Sequence, residues 1–291
     1  MQAKPSSVII VGGGVVGLSA ACFALREGCE VTVLDANAAD ATNCSMGNAG
    51  MIVPSHFVPL ASPGVIGLGL RWMLRPESPL GIRPQVSPRF LRWLWLFCLS
   101  ATRHDSQQAH QLLCQLNLES RSLFVEMARE ADFGLTTRGL LMLCKKQRTL
   151  DEEAHMAEQT NALGLRAEVL DAAGVTAVDP AIEMAVAGAV HFKDDAHLDP
   201  ARFMEVLRQR ILREGGRIEH AFRIEHLERH KGRITAVSGP AGRREADQFV
   251  LAGGVWTAEL ARQIGLNLPL VAGKGYSLTL REPRRLPQLC S

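Results

Sequence analysis

The chain runs to 291 residues and 31.7 kDa, too long for one small module and enough for about two domains of ordinary size. Hydrophobic residues make up 47% and charged residues 21%, which excludes a disordered chain. With 32 Lys and Arg against 30 Asp and Glu, the net charge of +2 argues against nucleic acid as a partner and against an acidic tail. The 7 cysteines are scattered without a C-x-x-C pair, as expected for reduced thiols of a cytoplasmic protein rather than for disulfides or zinc ligands. Cys22 and Cys114 lie in helical patterns and are expected to behave as small core hydrophobes. The start Met1-Gln2-Ala3-Lys4-Pro5 lacks the features of a signal peptide.

Ser7 to Val11 is a continuous apolar run, the pattern of a parallel strand buried on both faces. It breaks at Gly12-Gly13-Gly14. A helix is predicted from about Val15 to Glu27 with Gly28 past its end, then a second strand from Glu30 to Leu34 that stops at Asp35. From Asn43 to Pro88 prolines recur and exclude a long regular element, so this stretch is expected to wrap the surface or cover a ligand.

Leu91 to Leu99 is the most apolar stretch. It is too short to cross a bilayer and contains Arg92. Two placements fit this tryptophan-rich helix. It packs into the core with its arginines outside, which is the preferred reading, or it lies at a lipid surface flanked by Arg83, Arg89, Arg92 and Arg103. Ala109 to Ala128 reads as a further helix, Gly139 to Cys144 as a strand, Thr149 to Leu163 as a helix and Gly188 to Phe192 as a strand. Asp199-Pro200 is the start expected of a new helix that runs to about Arg213 before Gly215-Gly216. Short strands follow near Arg217–His220, Ile224–Arg229, Arg233–Val237 and Asp247–Leu251.

Gly12-x-Gly14-x-x-Gly17 sits between the first strand and the first helix, the context that gives the motif its meaning. Gly12 permits the tight turn, Gly14 lets a pyrophosphate approach the backbone, and Gly17 lets the helix pack closely on the sheet. The ligand's charge then meets the helix N-terminus. Asp35 stands where a carboxylate accepts hydrogen bonds from the adenosine ribose, which disfavours a 2′-phosphate. A glycine-rich turn that binds nothing is the competing reading, and the motif alone leaves NAD and FAD both open.

Ser45-Met46-Gly47-Asn48-Ala49-Gly50 resembles the second FAD contact of the FAD-dependent D-amino-acid oxidase/dehydrogenase family. Ala252-x-Gly254-x-Trp256, within Val250–Trp256, resembles that family's second phosphate-side turn. Phe222-Arg223-Ile224 matches the strand whose backbone passes the adenine. Lys274-Gly275-Tyr276-Ser277-Leu278-Thr279 and the tryptophan-rich helix are similar to stretches of bacterial D-amino-acid dehydrogenases. The resemblance covers nearly the whole chain. It implies an α/β (α+β overall) protein: a Rossmann-type FAD-binding domain with an inserted sheet-plus-helix substrate domain. The boundaries implied are 1–54 and 197–267 for FAD binding, 55–196 for the substrate domain with its helical segment, and 268–291 for the start of returning substrate-domain strands. It implies FAD contacts at Gly12, Gly14, Val15, Val16, Gly17, Asp35, Ala36, Ser45, Asn48, Ala49, Gly50, Met51, Ile224, Ala252, Gly253, Gly254 and Trp256.

The activity implied is oxidation of the Cα–N bond of a D-amino acid, or of a cyclic amino acid such as D-hydroxyproline. Hydride passes to flavin N5, the products are a 2-oxo acid and ammonia or a cyclic imine, and electrons pass to a quinone or other acceptor. Such chemistry needs no side-chain base once the amine is neutral, and no catalytic residue stands out. Tyr276, the only tyrosine, faces the substrate or has a cross-strand structural role. His56 and Lys274 are further candidates, against ordinary structural and solvated roles. The 9 histidines show no metal-ligand spacing. The location implied is cytoplasmic, or peripheral on the cytoplasmic face of the inner membrane, and the oligomeric state is left open. Family members continue beyond residue 291, so the chain is expected to be truncated at its C-terminus, with the substrate-carboxylate anchor outside it. A truncated adenine-nucleotide-binding fragment without catalysis, and an NAD-dependent Rossmann enzyme, are the alternative readings.

Overall fold

The computed structural model describes residues 6–73, 87–276, 278 and 282–289, without the side chains of 68, 70, 72–73 and 103–108. The side chains of Trp72 and Arg103, and the whole of Arg83, Ser277, Thr279 and Leu280, lie outside it. In chain order the first elements are β1 (Ser7–Val11), α1 (Val15–Arg26), β2 (Glu30–Leu34), β3 (Met51–Ile52), α2 (Val65–Met73), α3 (Pro88–Ser100) and α4 (Arg103–Met127). Then come β4 (Leu140–Cys144), α5 (Gln147–Ala162), β5 (Ala167–Asp171), α6 (Ala172–Val178), β6 (Gly188–Phe192) and β7 (Ala196–His197). The last are α7 (Pro200–Arg213), β8 (Arg217–Glu219), β9 (His226–His230), β10 (Arg233–Gly239), β11 (Gly242–Glu245), β12 (Gln248–Leu251) and α8 (Thr257–Gln263). The fold is α/β. The chain divides into two compact units, Met1–Asn48 with Pro200–Ser277, and Ala49–Asp199 with Leu278–Ser291.

The first unit is layered. A four-stranded sheet of order β12-β1-β2-β8 has every neighbouring pair parallel. Side chains alternate across β1. Ile9 and Val11 join Leu34, Phe222 and Val237 in a buried cluster with the antiparallel meander β11-β10-β9. Val8 and Ile10 therefore face the other side, where α1 and α7 pack on each other. Phe203, Met204, Leu207 and Ile211 repeat at helical spacing and form the buried stripe of α7. Burial of each such side chain is worth about 1.5–3 kcal/mol. Cys22 of α1 is buried against this stripe, and its thiol lies 3.8 Å from the Leu207 carbonyl. Burial pushes that thiol up to about 11.

In the second unit β6 is the centre of an antiparallel sheet of order β4-β6-β5, and all five of its residues are buried. One face, with Leu140, Val190 and Phe192, packs on Ala157 of α5. The other, with Leu141, Leu170 and Ala189, packs on Val175 of α6 and on Leu289. Cys114 is buried with Phe57 and Leu165, as its helical pattern suggests.

The structure overturns two sequence expectations. The tryptophan-rich α3 does not pack into a core: it has no buried residue, and Leu91, Leu94, Trp95 and Leu99 are exposed. Its Ser87 cap and Pro88 start stabilise the helix end, and Phe90, Trp93 and Phe97 stack along its own surface. No helix of the described residues is long and apolar enough to cross a membrane. Phe222-Arg223-Ile224 is an irregular connection rather than a strand: it follows Ala221, whose left-handed backbone (φ 54°) breaks the extended conformation after β8.

Asp179 is fully buried and closes one end of the second unit. Its Oδ1 accepts from the Ala181 N–H (3.3 Å), and its Oδ2 accepts from the N–H groups of Gln288 (2.7 Å) and Leu289 (3.2 Å). Asp179→Ala strands these donors. It should lower stability by about 2 kcal/mol and release Gln288–Leu289, which chemical denaturation and limited proteolysis at that segment would report.

Candidate functional site

Three strand ends of the first unit meet at the carboxyl edge of its parallel sheet. β1 leads into Gly12–Gly14, β2 into Asp35 and β12 into Ala252–Gly254. The chain proceeds from β1 to β2 and β8 on one side and returns to β12 on the other. The order therefore reverses beside β1, the place where open parallel sheets hold ligands. Backbone bonds lock these ends together: Gly12 N–H to the Leu34 carbonyl (2.9 Å), Ala252 N–H to Val11 (2.8 Å) and Asp35 N–H to Glu219 (2.9 Å).

The turn is too close for side chains. Gly12 has φ +116°, and a Cβ there would lie 2.5 Å from the Ala252 carbonyl oxygen. A Cβ on Gly17 would meet the Gly12 carbonyl oxygen at 1.9 Å. Gly13, which the sequence motif leaves unassigned, is equally constrained: a Cβ would come within 2.3 Å of Asp35 Oδ2. Only the position of Asp35 reveals that requirement.

The start of α1 lies open beside this turn. Gly14 is its cap and offers no side-chain acceptor, so the first N–H groups, from Val15 to Gly17, have no partner within the helix. Ser45 Oγ accepts one of them, from Val15 at 3.0 Å, while the side chain of Val16 points away and is exposed. Asn43 and Asn48 shape the loop that carries Ser45. Asn43 Oδ1 accepts from the N–H groups of Ser45 and Met46, and Asn48 Nδ2 donates to the Ser45 carbonyl at 2.7 Å. Asp35 is buried at the end of β2. Its Oδ1 accepts from the backbone and side-chain amides of Asn37 at 3.0 and 3.1 Å, and its Oδ2 takes no hydrogen bond among the described residues. Ala36 beside it is exposed. A row of backbone donors at a helix N-terminus, next to a carboxylate with a free oxygen, can hold a phosphate and a neighbouring diol.

The other candidates are placed as follows. Gly253 starts a 3-10 turn, Gly254–Trp256, and Trp256 is 67% exposed. Ile224 is half-buried against the meander core. Ala49, Gly50 and Met51 belong to the second unit, where the Gly50 carbonyl accepts from Leu198 at 2.9 Å and Met51 pairs with His197. Tyr276 is 88% exposed, with Lys274 Nζ 5.0 Å from its ring centroid. The described residues 274–276 and 278 have no regular structure. His56 is exposed and bonded to Ser55.

Residues 7–290 match the model of the FAD dependent oxidoreductase (DAO) family. The chain belongs to that family. The D-amino acid dehydrogenase of Methylobacterium sp. (strain 4-46) is 31% identical over 279 residues, covering 94% of this chain and 66% of the relative. The D-amino acid dehydrogenase of Cereibacter sphaeroides (strain ATCC 17029 / ATH 2.4.9) is 33% identical over 279 residues, covering 94% of this chain and 64% of the relative. This DAO-family chain thus spans about two thirds of the length of the curated relatives it matches. Glycine oxidase from Geobacillus kaustophilus shares the fold, with a TM-score of 0.66 at 19% identity, over 90% of this chain and 60% of the oxidase. The glycine-lined turn, the open helix start and the free oxygen of Asp35 fit the family's cofactor, FAD.

Gly17→Ala tests the cradle. The added methyl has only backbone to displace, so stability should fall by about 1–3 kcal/mol, measured by urea unfolding. Binding of ADP, as a probe for the dinucleotide's adenine half, should weaken by about tenfold or more in calorimetric titration.

Proposed function

We propose that this chain is part of an FAD-dependent dehydrogenase that oxidises the Cα–N bond of a D-amino acid, cyclic amino acids such as D-hydroxyproline included. The observation that carries the reading is the junction of the Gly12 and Ala252 turns at the strand reversal, in a DAO-family chain whose curated relatives bear the name D-amino acid dehydrogenase. When bound, FAD supplies the two-electron acceptor for hydride leaving the substrate Cα.

The chain's own residues bind and orient. The start of α1 at Val15 and Val16, where the Val15 N–H is held by Ser45 Oγ and the Val16 N–H has no partner within the helix, receives the pyrophosphate, with Gly12, Gly14 and Gly17 keeping the backbone clear. Asp35 Oδ2 is the acceptor for the adenosine ribose hydroxyls, and Asn37 orients the carboxylate through its other oxygen. Ser45 fixes the start of α1 and, with Asn48, Ala49, Gly50 and Met51, forms the second cofactor contact that the family resemblance implies. Ala252, Gly253, Gly254 and Trp256 line the other side of the reversal, with Ala36 and Ile224 toward the adenine. The domain roles proposed are 1–54 and 197–267 for the cofactor, 55–196 for the substrate, and 268–291 for the start of the returning substrate-domain strands.

Purified chain reconstituted with FAD should be yellow and should bleach anaerobically with D-alanine or cis-4-hydroxy-D-proline in a panel that also holds glycine and sarcosine. Colour without bleaching would leave a nucleotide-binding fragment, and a colourless protein that takes up NAD instead would overturn the reading.

The electron acceptor is proposed to be a quinone reached at a membrane surface. In support, α3 presents Leu91, Leu94, Trp95 and Leu99 to solvent beside exposed Arg89 and Arg92, an apolar face with a cationic rim suited to anionic lipid. The chain should float with anionic vesicles, and replacing Trp95 and Leu99 by Ser should abolish flotation. Wild-type protein that stays wholly in the soluble fraction would overturn the membrane contact.

A further inference from the structure

A second arrangement of acid, hydroxyl and imidazole lies in the other unit, outside the cofactor cradle. The short antiparallel pair of β3 and β7 aligns Ile52 with Ala196. This register brings the chain just after β3 against the residue just before β7. There the Ser55 N–H donates to Asp195 Oδ1 at 3.1 Å, and Ser55 Oγ lies 2.6 Å from Asp195 Oδ2 and 2.9 Å from His56 Nδ1. Asp195 is fully buried and Ser55 nearly so, whereas His56 is exposed and touches the Phe192 ring edge-on. His56 Nε2 has no hydrogen-bond partner among the described residues.

The single hydroxyl hydrogen of Ser55 links the states of its two neighbours. With Asp195 ionised, Ser55 donates to the carboxylate and accepts from Nδ1–H, so the neutral imidazole carries a bare Nε2 lone pair. With Asp195 protonated, the chain reverses: Asp195 donates to Ser55, Ser55 donates to Nδ1, and the imidazole carries its hydrogen on Nε2. One proton received at Nε2 converts the first state into the second. The Nδ1 proton passes to Ser55 Oγ, and the Ser55 hydroxyl proton passes to Asp195 Oδ2. No atom or charge is left over.

The surroundings raise the carboxyl's affinity for a proton. Burial is the main cause that pushes the Asp195 carboxyl above the usual range; the neighbouring charge of Asp194 adds to it, while the bonds from Ser55 and the His56 ring oppose it. Asp194 is itself held by Arg166, Nη2 to Oδ1 at 2.6 Å, and feels the charge of Arg121.

We propose that Asp195, Ser55 and His56 form a proton relay in which His56 Nε2 is the acceptor facing solvent and Ser55 and Asp195 are its positioning residues. An amino acid must lose its ammonium proton before its Cα gives up hydride, and the relay is a destination for that proton. This use rests on the amino-acid oxidation proposed above, whereas the relay itself does not.

Nitrogen NMR of the full chain, labelled at the histidine rings, tests the relay without flavin or substrate. His56→Gln identifies the signals. At alkaline pH, wild-type His56 should show a pyrrole-like Nδ1 and a pyridine-like Nε2. Asp195→Asn keeps the acceptor for the Ser55 N–H and offers an amide donor to Oγ, so the two ring nitrogens should exchange these shifts. Ser55→Ala should remove the Nδ1–H preference. A wild-type ring already protonated at Nε2, or an Asp195→Asn protein with the wild-type tautomer, would overturn the proposal. A tautomer exchange in a chain that no amino acid reduces would sustain the relay and overturn only its use on substrate.

Discussion

The contact on which the first unit depends is between backbones: the Gly12 turn lies so close to the Ala252 carbonyl on one side and to Gly17 on the other that no side chain fits. Parallel pairing of β1 with β12 brings the two turns together, and the hydrogen bond from Ala252 to Val11 fixes their spacing. Everything useful at that edge follows from this closeness. Because Gly17 lets α1 seat low on the sheet, its N-terminus points its free N–H groups along the edge rather than into a layer of side chains. Because Gly13 is bare, the Asp35 carboxylate can rest against the turn. The cradle is therefore made of absences of side chains, with one carboxylate and one hydroxyl added.

How much of this was legible depends on whether the cause was local. The continuous apolar run of Ser7–Val11, its glycines and the helix after them are neighbours in sequence, so the strand, turn and helix could all be read. The constraint on Gly13 was not, because it comes from Asp35 across the β1–β2 pair. The same holds for Phe222–Ile224, which is apolar enough for a strand but follows the left-handed turn at Ala221. The Ser55–Asp195 bond joins residues 140 apart in the chain and leaves no spacing to recognise. A single Ser-His pair among prolines gives no hint of the acid beneath it.

The misplaced α3 has a different cause. Helical periodicity says that a face is apolar, and it does not say what the face will meet. Capping by Ser87 and Pro88, together with the ring stacks along the helix, accounts for the helix without any core behind it. The exposed apolar residues of α3 and its arginines are what the proposed membrane contact rests on.

Three buried carboxylates show how satisfaction of hydrogen bonds separates structure from chemistry. Asp179 spends both oxygens on backbone N–H groups, and such an acid holds a segment in place. Asp35 gives one oxygen to Asn37 and keeps the other free at the edge of the cradle, an arrangement suited to a ligand's hydroxyls. Asp195 gives one oxygen to a fixed N–H and the other to a hydroxyl that can turn around. A backbone N–H can only donate, whereas a hydroxyl can donate to the anion or accept from the neutral acid. Of the three, Asp195 is the one bonded to a hydroxyl, and an exposed imidazole at the other end of that hydroxyl gives the proposed relay its route. Burial of an acid marks a constraint, and the freedom of its partner decides whether that constraint serves the fold or moves a proton.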